Sequence, residues 1–510
     1  MHNLFITGKF NHFPVFLFLT VLLFLSLIPT DLNAAVPHEE EIQKGLDHCY
    51  HFRWNKAEQV FQSLVSKYPE DPEGYHYLSS IYFWYYLSNK KENDFNNFRK
   101  YSDQAIDKAG DKLDINKNNP SVLYLIGSSY NYRTVAFAKA ENYLDAVWAA
   151  KKSESYLADC LSADPGFYDA YLGLGLYNFA VANIPSGFKW ALSLAGINGS
   201  ENKGLKYIRI AAEKGKFAKA EANYYLAQIL SDALMDPYSA SPYLEMLSEK
   251  YPENLLFSYT FGVIDIKKRE LNHAERRLVN IIKAKNSQFS QIISFSNFLM
   301  GDICFRRNIF EEAKKYYHVF LNSAVDKDYT GIASYRLALC YDLTGDRKNA
   351  VKYYSRAEKG NMDIDDDIYA KRKGNIYSKR NLSETEIEIL KAGNLLEAGE
   401  FGIARDTLYS LLKTAKTGKL KAEIHLLLSE ALFFLNEHGE SLNNALQAAG
   451  INSSDEEWIP PFAWYNAARA AQKMGKHNEA KKYIEEAKDY SGYDYRKKLS
   501  SLVKNIEKNY

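Results

Sequence analysis

The first residues whose types suggest chemistry lie near the start of the chain: His48, Cys49 and His51, with His76 in the following stretch. His48 and His51 are one helical turn apart, which would place two imidazoles on one face, as a metal site needs. Their spacing matches no metal motif, and core and groove positions account for them, so no metal ligand is expected. A second cluster, Asp363, Asp365, Asp366 and Asp367, is rich in carboxylates but lacks the glycine and terminal glutamate of a calcium loop. A solvated acidic linker is the expectation there. The chain has no glycine-rich phosphate loop, no Gly-x-Ser-x-Gly turn and no His-Glu-x-x-His helix. The reading is a protein without intrinsic catalysis and without a cofactor.

The chain that must position these residues has 510 amino acids, 46% hydrophobic and 25% charged, an ordinary folded composition. Lys and Arg number 64 against 63 Asp and Glu. That balance argues against a nucleic-acid binder, whose affinity comes mainly from neutralising phosphates. Thirty-nine Tyr against 13 Pro and 27 Gly describe a chain rich in large rings and poor in breakers, which reads as mostly helix.

Residues 1–35 read as a secretory signal. Lys9 is their only Lys or Arg, an apolar run follows from Val15 to Ile28, and Pro29 and Ala34-Ala35 close the segment. The run is shorter than the roughly 20 residues a spanning helix needs. Export to a bacterial periplasm or cell envelope is therefore expected, with an uncleaved membrane anchor as the alternative. Cys49, Cys160, Cys304 and Cys340 are too sparse for a disulfide framework. Buried thiols are expected, and a Cys304–Cys340 bridge is the alternative.

A small residue followed at +12 by another, at +16 by a large apolar one and at +19 by one more recurs along the chain. The sets are Gly45/Ala57/Phe61/Leu64, Gly262/Ala274/Leu278/Ile281, Gly301/Ala313/Tyr317/Phe320 and Ala338/Ala350/Tyr354/Ala357. They continue as Ala392/Ala404/Leu408/Leu411, Ser429/Ser441/Ala445/Ala448 and Ala468/Ala480/Ile484/Ala487. Small residues let two helix backbones approach, and the +4 and +7 steps keep the larger side chains on one face. Each set is a helical hairpin. One unit, Ala227 to Ala240, needs an extra residue, and three between Gly74 and Gly215 are stretched.

On these residues the chain resembles the tetratricopeptide repeat family over most of 40–490. The resemblance implies an all-α superhelical solenoid of about eleven helical hairpins with a concave groove. Tyr171–Gly215 is also locally similar to the tetratricopeptide repeat 39 and inclusion-body-clearance proteins, from which no function is carried over. The expected organisation is a signal at 1–35, an N-terminal array at 36–357, a charged linker at 358–382 and a C-terminal array with a capping helix at 383–510.

The family geometry implies which side chains face the groove. In the N-terminal half they are Tyr50, His76, Phe83, Trp84, Tyr124, Asn131, Tyr132, Tyr177, Asn178, Tyr224 and Gln228. Rings beside amides suit a protein or peptide partner, and they equally suit filling a narrow superhelix. Where chaperone-binding members carry a Lys and Asn clamp, this chain has Ile42, Leu46, His76 and Ser80, so that partner is not expected. The expected function is an exported scaffold or adaptor in an envelope-associated complex. The alternative is a carrier of a small ligand such as an oligosaccharide or peptide. Contact with a membrane would come only from a retained N-terminal segment or through a partner.

Overall fold

The computed structural model describes residues 36–184, 196–284, 286, 288–453 and 456–507. The segment read as a signal, and the centre of the insertion after Ala182, lie outside the described residues. Twenty-four α-helices follow one another there, without a strand. Eleven antiparallel hairpins account for most of them. The first eight are α1 (Glu39–Tyr50) with α2 (Trp54–Lys67), α3 (Pro72–Asn89) with α4 (Glu92–Ile115), α5 (Pro120–Lys139) with α6 (Tyr143–Ala163), α7 (Ala170–Ala182) with α8 (Glu201–Lys214), α9 (Lys219–Gln228) with α10 (Pro237–Lys250), α11 (Leu255–Lys267) with α12 (Leu271–Lys283), α13 (Ser290–Arg306) with α14 (Phe310–Ser323), and α15 (Thr330–Leu343) with α16 (Arg347–Arg356). A single helix, α17 (Asp365–Lys379), precedes three more: α18 (Glu384–Glu397) with α19 (Phe401–Thr414), α20 (Gly418–Phe434) with α21 (His438–Gly450), and α22 (Ile459–Lys473) with α23 (His477–Lys488). The last helix, α24 (Arg496–Glu507), buries Leu499, Val503 and Ile506 against the stack. No helix among the described residues is long and apolar enough to cross a membrane.

The small anchors work by close approach. A Cβ added to Gly45 would lie 2.2 Å from the ring of Phe61, and one added to Gly301 would lie 2.8 Å from that of Tyr317. Both rings are fully buried. The +16 spacing is thus a ring laid over a backbone that has no side chain in the way.

The extra residue of the fifth unit also has a physical form. α9 runs directly into a π-helical turn, Ile229–Ala233, between Ala227 and Ala240. A π-turn absorbs one inserted residue without breaking the helix. Two of the three stretched units are longer helices, α3 to α6 having 18, 24, 20 and 21 residues; the third, α7 with α8, has helices of 13 and 14 residues and is lengthened between Ala182 and Glu201. The α5/α6 hairpin is therefore longer than the pairs that follow it.

The charged segment 358–382 is not the solvated linker its composition suggests. It forms α17, packed against α15 and α16. Asp367 is fully buried and accepts backbone N–H bonds from Ile332 at 2.7 Å and Asn361 at 2.8 Å. Arg372 donates to Glu456 at 2.7 Å and Asp494 at 2.8 Å, and Lys373 to Glu456 at 2.8 Å. Charges that match buried partners from other hairpins are structural, and composition alone does not distinguish them from charges matched to water. Cys49, Cys160, Cys304 and Cys340 are buried free thiols, so Cys304 and Cys340 are not bridged.

Candidate binding site in the superhelix interior

The N-terminal hairpins curl until the first touches the fifth and sixth. Tyr50 donates to the Phe217 carbonyl at 3.3 Å, Asn254 donates to the Tyr50 carbonyl at 2.9 Å, and His51 bonds Glu253 at 2.9 Å. Lys90 pairs with Asp326 still further along. Residues of α1 to α3 and of α11 to α13 consequently share one hydrophobic core. The concave groove is closed by the chain itself.

This closure decides the fate of the predicted groove residues. His76, Phe83, Tyr124, Asn178 and Tyr224 are buried, which removes them from any protein partner's reach. Phe83 packs on Tyr132 at 4.8 Å between ring centroids, Tyr124 on Phe167 at 5.0 Å, and Asn178 donates to the Leu174 carbonyl of its own helix at 2.8 Å. Tyr50, Trp84, Asn131, Tyr132, Tyr177 and Gln228 keep part of their surface. Gln228 spends its amide on the Tyr224 hydroxyl at 3.0 Å. Of the two roles open to these rings, the buried half, His76, Phe83, Tyr124 and Tyr224, fill the narrow superhelix.

A small space survives among them. A cavity of about 40 Å³ is bounded by Tyr50, Trp84, Tyr132, Tyr224, Phe257 and Glu221, with Cys49 and Asn254 at its wall. A smaller one of about 10 Å³ lies beyond Tyr132 and Glu221, between Tyr124, Asn131 and Asp169. Glu221 faces both. Its Oε2 accepts the Tyr132 hydroxyl at 3.1 Å. Burial pushes its carboxyl up to about 7, against which the Tyr132 bond works only weakly. Asp169 is a contrast: its Oδ1 accepts three backbone N–H bonds, from Lys216, Phe217 and Ala218, at 2.7–2.8 Å.

Sequence reasoning missed Glu221. The groove offsets begin three residues before the small anchor Ala227, at Tyr224; Glu221 is one turn earlier on the same face. Extending the offsets by that turn would have found it.

The metal candidates are not assembled. His76 bonds Ser129 at 2.8 Å and burial pushes its imidazole down to about 3, while His51 bonds Glu253. Burial pushes the Cys49 thiol far above its usual range. Among the described residues, ligand-type side chains converge instead at His38, Asp71 and Glu73 and at Asp265, Glu270 and His273. In each group a cation already holds one acid: Lys112 on Asp71 at 2.5 Å and Arg277 on Asp265 at 2.9 Å. The second group lies in an open polar cleft of about 600 Å³ between α10, α11 and α12.

The C-terminal groove is also occupied from within. Arg269, in the turn between α11 and α12, donates to Glu397 at 2.9 Å and to Glu430 at 2.5 Å, and its guanidinium lies 4.3 Å from the Phe434 ring centroid. Asn394 donates to the Phe305 carbonyl at 3.0 Å. Across the chain, then, stacked helical hairpins enclose their own concave face.

The tetratricopeptide repeat model matches residues 333–359, which make up most of α15, all of α16 and the turn that follows. That hairpin is a tetratricopeptide repeat, and helical hairpins with the same small-residue spacing recur on both sides of it. No curated protein matches it. Among solved structures, the tetratricopeptide domain of P58(IPK) shares 12% identity over 80% of this chain and 93% of its own, with a TM-score of 0.22. Yeast Tom70 shares 14% over 92% and 95%, with a TM-score of 0.26. The Cut9-Hcn1 heterotetramer of the APC/C shares 13% over 92% and 90%, with a TM-score of 0.25.

Proposed function

We propose that the protein is an exported scaffold of a bacterial cell envelope, and that it takes a protein partner on the exposed end of the α5/α6 hairpin rather than in the concave groove. The observation that carries this reading is an exposed apolar ridge. On the first turns of α6, Tyr143 is 65% exposed, Leu144 86%, Val147 45% and Trp148 51%, and Val135 in the last turns of α5 is also exposed. Large rings and branched chains on one short face have no reason to meet water, and such patches mark contact surfaces. The charges around the ridge are of both signs, Lys139, Glu141, Asp145, Lys151 and Lys152. An anionic lipid surface would call for one sign, whereas a mixed rim suits a protein.

Export rests on the apolar run from Val15 to Ile28 and the small residues after it. Cell fractionation of the tagged chain, with N-terminal sequencing, tests it: a mature end at Ala35 or Val36 in an envelope fraction supports export, and an intact Met1 in the cytoplasm overturns it. Docking is tested by a photocrosslinker placed at Leu144 and, as a control, at Lys413. One protein captured from position 144 alone, and lost when Trp148→Ser is added, supports the ridge. Equal capture from both positions, or none from 144, overturns it.

A further inference from the structure

Glu221 is the unusual group in the interior. Among the described residues no lysine, arginine or histidine pairs with it, and its single hydrogen bond comes from Tyr132. Glu221 keeps part of its surface, yet a carboxylate so largely withdrawn from water is normally matched by a cation or by several N–H donors, as the buried Asp169 is nearby. Glu221 has one hydroxyl and an adjoining space.

The walls of that space favour positive charge. Tyr50, Trp84, Tyr132, Tyr224 and Phe257 surround it with ring surface. The hydroxyls of Tyr50 and Tyr224 are engaged elsewhere, with the Phe217 carbonyl and with Thr260 and Gln228. What these rings can offer a cation in the cavity is the negative charge of their π systems. Trp84 has Tyr225 as a neighbour, the ring centroids 6.5 Å apart and the planes inclined by 29°.

We propose that this cavity binds the ammonium head of an alkylamine, held between Glu221 and the rings of Trp84, Tyr132 and Tyr224. The class follows by elimination. A divalent metal needs more donors than one carboxylate and a phenol. An anion meets Glu221 directly, and Asp169 stands behind Tyr132. A sugar needs many polar partners and more room: about 40 Å³ admits the ammonium head and the first one or two carbons of a longer stem. An ammonium on a short alkyl stem matches the charge, the rings and the size. It is independent of the α6 ridge, and either reading can stand without the other.

The same head group can arrive as a free amine or as a lysine side chain. Calorimetry on the full chain at pH 8, followed also by tryptophan fluorescence, would use n-butylammonium, the tripeptide acetyl-Gly-Lys-Gly-amide and, as the neutral match, n-butanol. The expected result is saturable binding of the amine, the tripeptide or both, no saturable binding of n-butanol, and affinity at least about tenfold weaker in Glu221→Gln and in Trp84→Leu. Binding of the tripeptide alone assigns the site to a lysine of a protein, and binding of butylammonium alone to a small amine. Tyr132→Phe, which removes only a hydroxyl that competes for the carboxylate, should bind at least as tightly as the wild type. If Glu221→Gln does not fold, Trp84→Leu and Tyr132→Phe decide. No saturable binding of either ammonium probe, equal binding of n-butanol, or unchanged affinity in the folded Glu221→Gln or Trp84→Leu variant would overturn the proposal.

Discussion

Arg269 and Glu397, 128 positions apart, lie within 2.9 Å of each other and join the sixth hairpin to the first helix of the last three. Glu430 shares the same guanidinium nitrogen, Phe434 lies against its plane, and only 9% of the Arg269 side chain is exposed. Arg269→Met keeps the stem and removes the charge. Breaking a fully buried pair costs about 3–5 kcal/mol. Glu397 keeps nearly half of its surface, so the expected loss in urea unfolding is smaller, about 1–3 kcal/mol. A loss under about 0.5 kcal/mol would show a pair screened like an ordinary surface one.

Glu456 should make the fold sensitive to acid. Burial alone would raise its carboxyl, but Lys373 and Arg372 outweigh burial and hold it at about 2. The folded value is then below the ordinary carboxylate value of about 4.3. Its contribution is present above that value and is lost as the pH falls toward 2. Melting curves between pH 5 and pH 2 should therefore drop more steeply for the wild type than for Glu456→Gln, which starts lower. Parallel curves would refute this assignment.

Glu221 should act in the opposite sense. Its folded value of about 7 is above the unfolded one, so the folded state holds the proton more tightly. Stability associated with this group is full below about pH 4 and declines as the pH rises through 7. The rings around it, Tyr50, Tyr132, Tyr224 and Tyr225, are all pushed above their usual range by burial and stay neutral throughout. Without added amine, Glu221→Gln should flatten the melting profile between pH 5 and pH 8. An unchanged slope would mean another group titrates there.

The repeat anchors separate close approach from mere smallness. In Gly45→Ala the new methyl would meet the Phe61 ring, and the expected cost is about 1–3 kcal/mol, the range for overpacking a tight core. Gly402, on the first turn of α19, has nothing within 4 Å of an added Cβ. Gly402→Ala should stabilise by about 0.4–1 kcal/mol by restricting the unfolded chain. Denaturant midpoints of the two variants should move in opposite directions, and a shared direction would contradict the packing account.

The hairpins were legible because their determinants are local. Gly45 and Phe61, or Gly301 and Tyr317, are 16 residues apart, and two helices with a short turn bring any such pair together whatever the rest of the chain does. The extra residue between Ala227 and Ala240 was legible for the same reason and became a π-turn. Asp367 and Arg372 were misread because their partners, Ile332, Glu456 and Asp494, come from other hairpins, and charge density in a sequence looks the same paired or solvated.

By itself the sequence determined the repeat, the all-helical class and the helical face on which the rings lie. Only the tertiary structure decided that the face is closed. Each hairpin adds a small rotation to the one before it, and the sum over five or six units sets whether Tyr50 meets Phe217 and Asn254 or looks into an open groove. That sum depends on helix lengths and packing in every unit between them, so no single motif encodes it. From it follow the burial of His76 and Phe83 and the placing of Glu221 beside Tyr132, while Leu144 and Trp148 stay exposed on the long α5/α6 hairpin.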